Sequence, residues 1–222
     1  MYADFVRDLV PAYMPLRIFW VYFTGVAMIA AGIGFIIRRQ VQPAAFLLGC
    51  MLLLFILMLH TLLLSKEPGV GIHWTRVMQD TAIMGAAFAL ASPKTHIIAR
   101  YCYALPLVVL GAQHFTHNAF VTAKVPDYFP LKNIFDYIIG IMLIAAAYGI
   151  LFTVNIRRTA SVLGMILTAL ALLRHIPLLV SNVHNAIEWT GAMLDLALAA
   201  GAFIIAGTAD PKAFLIADPA DP

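Results

Sequence analysis

Charge is what this sequence has least of. Its 222 residues carry 14 basic and 11 acidic side chains, so 11% are charged and 63% hydrophobic. An ordinary soluble domain has about a quarter of its residues charged, so that class is excluded. The net charge of +3 is small, and the basic residues stand between apolar runs instead of forming a patch, which argues against a nucleic-acid surface. Cysteine is equally scarce. Cys50 and Cys102 are single and lie in different apolar segments. With no CxxC and no metal-ligand spacing, a dithiol motif is absent and both read as buried, inert thiols. No His-x3-His pair puts two ligands on one helix face, and no metal site is read. The head of the chain carries Asp4 and Asp8 before a first apolar run too long for a cleavable signal peptide.

What is present is a series of apolar runs, several long enough to cross a bilayer, which takes about 20 residues. They cover about 17–37, 43–64, 73–91, 96–115, 131–154, 159–180 and 186–207. Arg38-Arg39, Pro68-Gly69, Ser92-Pro93-Lys94 and Arg157-Arg158 separate several of them, and Pro106 is expected to kink the fourth. The pattern predicts an all-α, polytopic membrane bundle of about seven transmembrane helices whose partner is the lipid bilayer. Six basic loop residues (Arg38, Arg39, Lys94, Arg157, Arg158, Lys212) fall on one side against three (Arg7, Lys66, Lys124) on the other. That asymmetry makes the paired-arginine side cytoplasmic, in a bacterial-type inner membrane.

The same text is written twice. Pro11-Ala-Tyr-Met-Pro15 returns as Pro126-Asp-Tyr-Phe-Pro130, 115 residues on, and the register then holds without a gap. His60 matches His175, Trp74-Thr75 matches Trp189-Thr190, Asp80 matches Asp195, and Gly25, Gly34 and Gly49 match Gly140, Gly149 and Gly164. Between 11–91 and 126–206, 27 of 81 positions are identical. Matched Pro, Tyr, His, Trp and Asp in one register read as an internal duplication. The period spans four runs, so both copies share one orientation and form a parallel repeat. The predicted organisation is 1–95, a first unit of three helices; 96–207, a second of four; and 208–222, a polar tail. The first unit is then short of its opening helix, expected to be lost or to lie upstream.

Ionisable side chains inside a span are costly and mark function or tie helices together. Here they gather toward one face, read as the outer one. Arg17, Trp20, Tyr22, His60, Trp74, Arg76, Asp80, Gln113 and His114 are joined at matching depth by Lys132, Asp136, Tyr137, Arg174, His175, Glu188, Trp189 and Asp195. His60, Asp80, His175 and Asp195 are the catalytic candidates, because histidine titrates near neutrality and suits proton-coupled electron transfer to a lipid-soluble carrier. Arg17, Tyr22, His114, Lys132, Tyr137 and Arg174 are the candidates for holding a head group. A quinone stands ahead of haem as cofactor, although His60, His114 and His175 are the residues a haem would use. Two other readings stay open: a transporter whose acidic pair binds a cation or substrate at the repeat interface, and a non-catalytic scaffold. In the scaffold Asp80 and Asp195 pair with Arg17 and Lys132, or with Arg76 and Arg174. The tryptophans read as an interfacial belt, the glycines as close-contact positions, and His73, His96, His117 and His184 as loop residues.

The helix end Gly111-Ala-Gln-His114-Phe115, the following Phe120-Val121, and the stretches Tyr2-Ala-Asp-Phe-Val6, Leu9-Val-Pro-Ala-Tyr-Met-Pro15 and Trp20-Val-Tyr-Phe-Thr-Gly25 resemble the DoxX family. The resemblance covers nearly the whole chain in the tandem form, with the second copy departing at Phe135 and Asp136. It implies four-helix membrane units. The family takes its name from a subunit of a thiosulfate:quinone oxidoreductase, and other members are linked to thiol and oxidative-stress defence. What it implies here is a membrane component of quinone- or thiol-linked redox chemistry with a redox partner subunit.

Overall fold

The computed structural model describes Arg7, residues 10–122, Val125, Tyr128 and residues 131–209. Lys124, Lys212, the Tyr2–Val6 motif, most of the Pro126–Pro130 stretch, the side chains of Phe120 and Val121, and the tail from 210 lie outside the described residues. All regular structure among the described residues is helical.

Seven long helices follow in order: α1 (Arg17–Ile36), α2 (Val41–Lys66), α3 (Gly71–Ala91), α4 (His96–Thr116), α5 (Lys132–Leu151), α6 (Ile156–Ser181) and α7 (Ala186–Thr208). A short helix, Asn118–Thr122, follows α4. The ends agree with the sequence-predicted runs to within a few residues. His73 and His96 fall inside α3 and at the start of α4 instead of in loops. Pro106 sits within α4, which continues as one helix on both sides of it. α5 stops at Leu151 because Thr153 and Asn155 turn left-handed, with φ of 60° and 47°.

Six of these helices are long and apolar enough to span a bilayer. The chain is a multi-pass membrane protein in a lipid environment. The exception is α3, which carries His73, Arg76, Gln79 and Asp80 in its first half. Its polarity goes with its position: α3 packs against α2, α4 and α7, and eight of its 21 residues are buried, Asp80 among them. Lipid is kept from α3 by its neighbours, so it does not need a uniformly apolar surface.

The core lies among α3, α4, α5, α6 and α7. Small side chains such as Ala82, Ala86, Ala99, Ala104, Ala147 and Ala202 let the backbones approach, and Leu107, Leu163 and Ile205 fill what remains. At its centre the fully buried Tyr103 hydroxyl donates to the Leu198 carbonyl at 2.8 Å, tying α4 to α7. α1 stands apart, with Ala31 its one buried residue.

Positions 115 apart share more than residue type. The six non-glycine residues with positive φ among those described form three such pairs: Leu16 and Leu131, Arg38 and Thr153, Gln40 and Asn155. Trp74 Nε1 donates to the Pro68 carbonyl at 2.9 Å, and Trp189 Nε1 to the Val183 carbonyl at 2.8 Å. A Cβ on Gly49 would stand 2.7 Å from the Phe88 ring, and one on Gly164 would stand 2.9 Å from the Phe203 ring. These contacts set how closely α2 crosses α3 and α6 crosses α7.

Candidate functional site

Successive helices alternate in direction, so the C-terminal ends of α2, α4 and α6 meet the N-terminal ends of α1, α3, α5 and α7. Contacts between ionisable side chains of different spans gather at this end. His60 near the end of α2 lies 2.9 Å through Nε2 from Asp80 Oδ2 on α3. His175 near the end of α6 makes the matching contact, Nε2 to Asp195 Oδ2 on α7, at 3.0 Å. His114 at the end of α4 bonds through Nδ1 to Asp136 Oδ1 on α5 at 2.5 Å.

The His175 site holds more than its counterpart. Nδ1 of His175 lies 2.5 Å from Glu188 Oε1, so both ring nitrogens face carboxyl oxygens. Glu188 is set by its helix start. Asn185 caps α7 by accepting from the Glu188 backbone N–H at 3.1 Å, and the positive end of the helix favours the carboxylate three residues in. In the first half of the chain the place of Glu188 is taken by His73, which turns to Glu67 at 3.0 Å, and His60 keeps a single carboxylate. Asp195 is also met by Gln79 Nε2 of α3 at 3.4 Å and by Arg174 Nη1 at 3.5 Å. Arg76 of α3 in turn donates to Gln79 Oε1 at 3.4 Å. Gln79, absent from the sequence-predicted candidates, therefore bridges the two halves.

Proton counting limits what this trio can be. A neutral imidazole carries one N–H, and an ionised carboxylate only accepts. Glu188, His175 and Asp195 satisfy both bonds either as two carboxylates around an imidazolium or as one carboxylate, a neutral ring and one carboxylic acid. Passing between these forms moves one proton between a carboxyl and a ring nitrogen, and passing through the imidazolium form carries the acid proton's place from one carboxyl to the other. Glu188 and Asp195 are seven residues apart on α7, about 10 Å at 1.5 Å per residue. The trio therefore runs from the end of the bundle toward its middle. Its inner end, Asp195 with Arg174, keeps about a third of each side chain exposed, whereas the His175 side chain is 3% exposed.

Backbone devices adjoin both histidines. α2 passes through a π-helical turn, Ile56–His60, a feature common at functional sites. α6 instead carries Pro177, whose missing N–H leaves the Leu173 carbonyl without its helical donor. The Tyr128 hydroxyl takes that carbonyl at 2.7 Å, and Tyr13 makes the equivalent bond to the Met58 carbonyl at 3.2 Å.

Of the catalytic candidates, His60 with Asp80 and His175 with Asp195 are brought together as pairs. Asp80 takes His60 as its partner and Arg76 turns to Gln79, whereas the scaffold reading offered Arg17 or Arg76 to Asp80. Asp195 does meet Arg174. Among the head-group candidates, Arg174 and His114 sit in the polar layer. Tyr22 is 62% exposed on α1. Tyr137 stacks on Phe115 with centroids 5.5 Å apart. Arg17 Nη2 donates to the Arg7 carbonyl at 3.0 Å, and Lys132 opens α5. The haem reading loses His175, both of whose nitrogens are engaged with carboxyls.

Asn118 was not legible as a site residue: its Nδ2 donates to Asp136 Oδ2 at 2.7 Å from the short helix after α4. Asp136 is 1% exposed, and both its oxygens are paired. The sequence signal for it was the departure of the second copy at this position, where the first copy has Val21.

The arrangement defines a multi-pass helical membrane protein with ion-paired side chains gathered at one end of its bundle. No protein-family model, no curated protein and no solved structure matches the chain.

Proposed function

We propose that this chain is a DoxX-like membrane component of quinone-linked redox chemistry, in which Glu188, His175 and Asp195 carry protons to a quinone head group at Asp195 and Arg174. The observation that supports this reading is the His175 ring held between two carboxyls, with a partly exposed carboxyl and guanidinium at the inner end. A quinone accepts two electrons and two protons on reduction to the quinol. Electrons come from a redox partner subunit. Asp195 delivers protons, Arg174 donates a hydrogen bond to a quinone oxygen, and His175 recharges Asp195 from Glu188. In this reading 1–95 and 96–207 are two like units in a bacterial-type inner membrane, with the polar end outside. The pair His60–Asp80 has one carboxyl fewer and serves as a structural tie between α2 and α3.

The test is quinone binding and reduction by protein purified in mild detergent with its membrane partners. Wild type is expected to copurify with or bind a quinone, and Asp195→Asn to weaken reduction at least tenfold while the fold survives. Unchanged quinone handling in Asp195→Asn and His175→Gln rejects the reading. The bridge of Gln79 to Asp195 between the two halves also suits a proton-coupled transporter. In that case proteoliposomes show ion- or substrate-dependent flux that Asp195→Asn abolishes, with no quinone dependence. If neither variant changes quinone handling or flux, the scaffold reading stands.

A further inference from the structure

Arg76 and Arg174 stand at either end of the bridge between the two halves, and neither guanidinium is satisfied there. The bridge runs from Arg76 Nη1 to Gln79 Oε1 at 3.4 Å, from Gln79 Nε2 to Asp195 Oδ1 at 3.4 Å, and from Asp195 Oδ2 to Arg174 Nη1 at 3.5 Å. All three contacts exceed the usual N–H···O distance of about 2.9–3.0 Å. His175, in the same cluster, meets its carboxyls at 2.5 and 3.0 Å. Arg174 Nε is buried with no hydrogen-bond partner, and the Arg174 contact with Asp195 is an ion pair without a hydrogen bond. Among the described residues, Arg76 has no carboxylate within ion-pair distance and bonds to Gln79 alone. The duplication does not supply this cluster. Arg76, Gln79 and Arg174 correspond to Gly191, Leu194 and Leu59, so the site is built once, where the halves meet.

A guanidinium has a donor on every nitrogen, no acceptor, and a proton it does not give up. Donors here outnumber the acceptors that Asp195 and Gln79 provide. Charge runs the same way. Glu188, His175 and Asp195 carry one net negative charge in either proton arrangement, against two positive guanidiniums. His60 and Asp80 add nothing, since a carboxyl as buried as Asp80 is kept neutral overall by the proton it shares with His60. A surplus cation inside a bilayer is costly until an anion answers it. The guanidinium fork matches a planar pair of oxygens better than a halide. One surplus charge is cancelled by a monoanion, whereas a dianion such as sulfate overshoots.

We propose that the cluster of Arg76, Gln79, Asp195 and Arg174 binds a monocarboxylate, whose oxygens accept from the N–H groups left over on Arg76 and Arg174. This goes beyond quinone handling and is measured without electron transfer, so either reading can fail alone.

The test is calorimetric titration of the full chain in lipid nanodiscs at constant ionic strength, with empty nanodiscs subtracted and benzoate, laurate and sulfate as probes. Benzoate or laurate is expected to bind saturably, one per chain, at least tenfold more tightly than sulfate. Benzoate binding assigns a water-soluble acid to the site and laurate binding a fatty acid of the bilayer; each supports the proposal. Arg76→Gln should weaken binding at least tenfold with unchanged helicity, because it gives up only a 3.4 Å contact. Arg174→Gln gives a second reading with the same expectation. Arg76→Lys, which restores charge without the fork, should recover only part, and Arg39→Gln in the opposite loop should change nothing. Three results each overturn the proposal: no saturable binding of either carboxylate, sulfate bound as tightly, or wild-type affinity in Arg76→Gln or Arg174→Gln.

Discussion

Ala86 and Gly201 touch where α3 crosses α7, and they are 115 residues apart in the chain: a Cβ on Gly201 would stand 3.1 Å from the Ala86 Cβ and 2.7 Å from Tyr103 Cε2. The crossing has no room for a methyl group at Gly201. Gly201→Ala is therefore expected to overpack the crossing and cost about 1–3 kcal/mol. Adding Ala86→Gly should recover only part of this, because the Tyr103 ring still blocks the new methyl. Thermal unfolding in detergent reads both, and full recovery in the double variant would show that Tyr103 yields freely.

The two histidines at matched positions should differ in what their loss costs. His175 is 2% exposed and faces two carboxyls, so His175→Leu leaves Glu188 and Asp195 short of a partner, a loss of about 3–5 kcal/mol. His60 is partly exposed and meets Asp80 alone, so His60→Leu should be milder by at least about 1 kcal/mol. Equal losses in chemical unfolding would mean that Glu188 contributes nothing to the site.

Asp136→Val makes α5 resemble α1 at this position. It removes the partner of both His114 Nδ1 and Asn118 Nδ2, and about 1–3 kcal/mol of stability should go with it. The companion change His114→Leu should cost less in the Asp136→Val background than alone. A coupling below about 0.5 kcal/mol in the double-mutant cycle would mean the two side chains act independently.

Pro177 and Tyr128 form a second cycle. Tyr128→Phe should cost about 0.6 kcal/mol, the typical worth of a hydrogen bond between membrane helices. In the Pro177→Ala background the helix supplies its own N–H to the Leu173 carbonyl, and the cost of Tyr128→Phe should shrink toward zero. An unchanged cost would assign the Tyr128 effect to its other contacts.

The helices were legible because their apolar runs are long and their breaks are made of Pro, Gly and paired Arg. The gathering of polar side chains at one end was legible too, since alternating helix direction turns sequence position into depth. What stayed hidden was pairing. Asp80 has an arginine, Arg76, one helical turn away on its own helix, yet it bonds to His60 across the α2–α3 turn. Which of two candidates at one depth becomes the partner depends on helix rotation, which sequence spacing does not fix between helices. Glu188 and Asp136 stood in the polar layer without being singled out, because neither has an acidic counterpart in the first copy. Tyr22 and its counterpart Tyr137 are both exposed, at 62% and 40%, so matched residue type here goes with matched exposure.

The polarity of α3 has a consequence for biogenesis. A charged residue at mid-helix costs roughly 2.5–3.5 kcal/mol to insert, and α3 carries both Arg76 and Asp80. Leaving the insertion machinery alone, it would hold these groups against lipid. Its partners lie on both sides in chain order, His60 of α2, which meets Asp80, before it and Asp195 of α7, which meets Gln79, long after. α3 is therefore expected to be retained beside the machinery as a hairpin with α2, and to settle into its final place only when α7 has been synthesised. A chain truncated before Ala186 should leave α3 extractable or prone to degradation while α1 and α2 remain inserted.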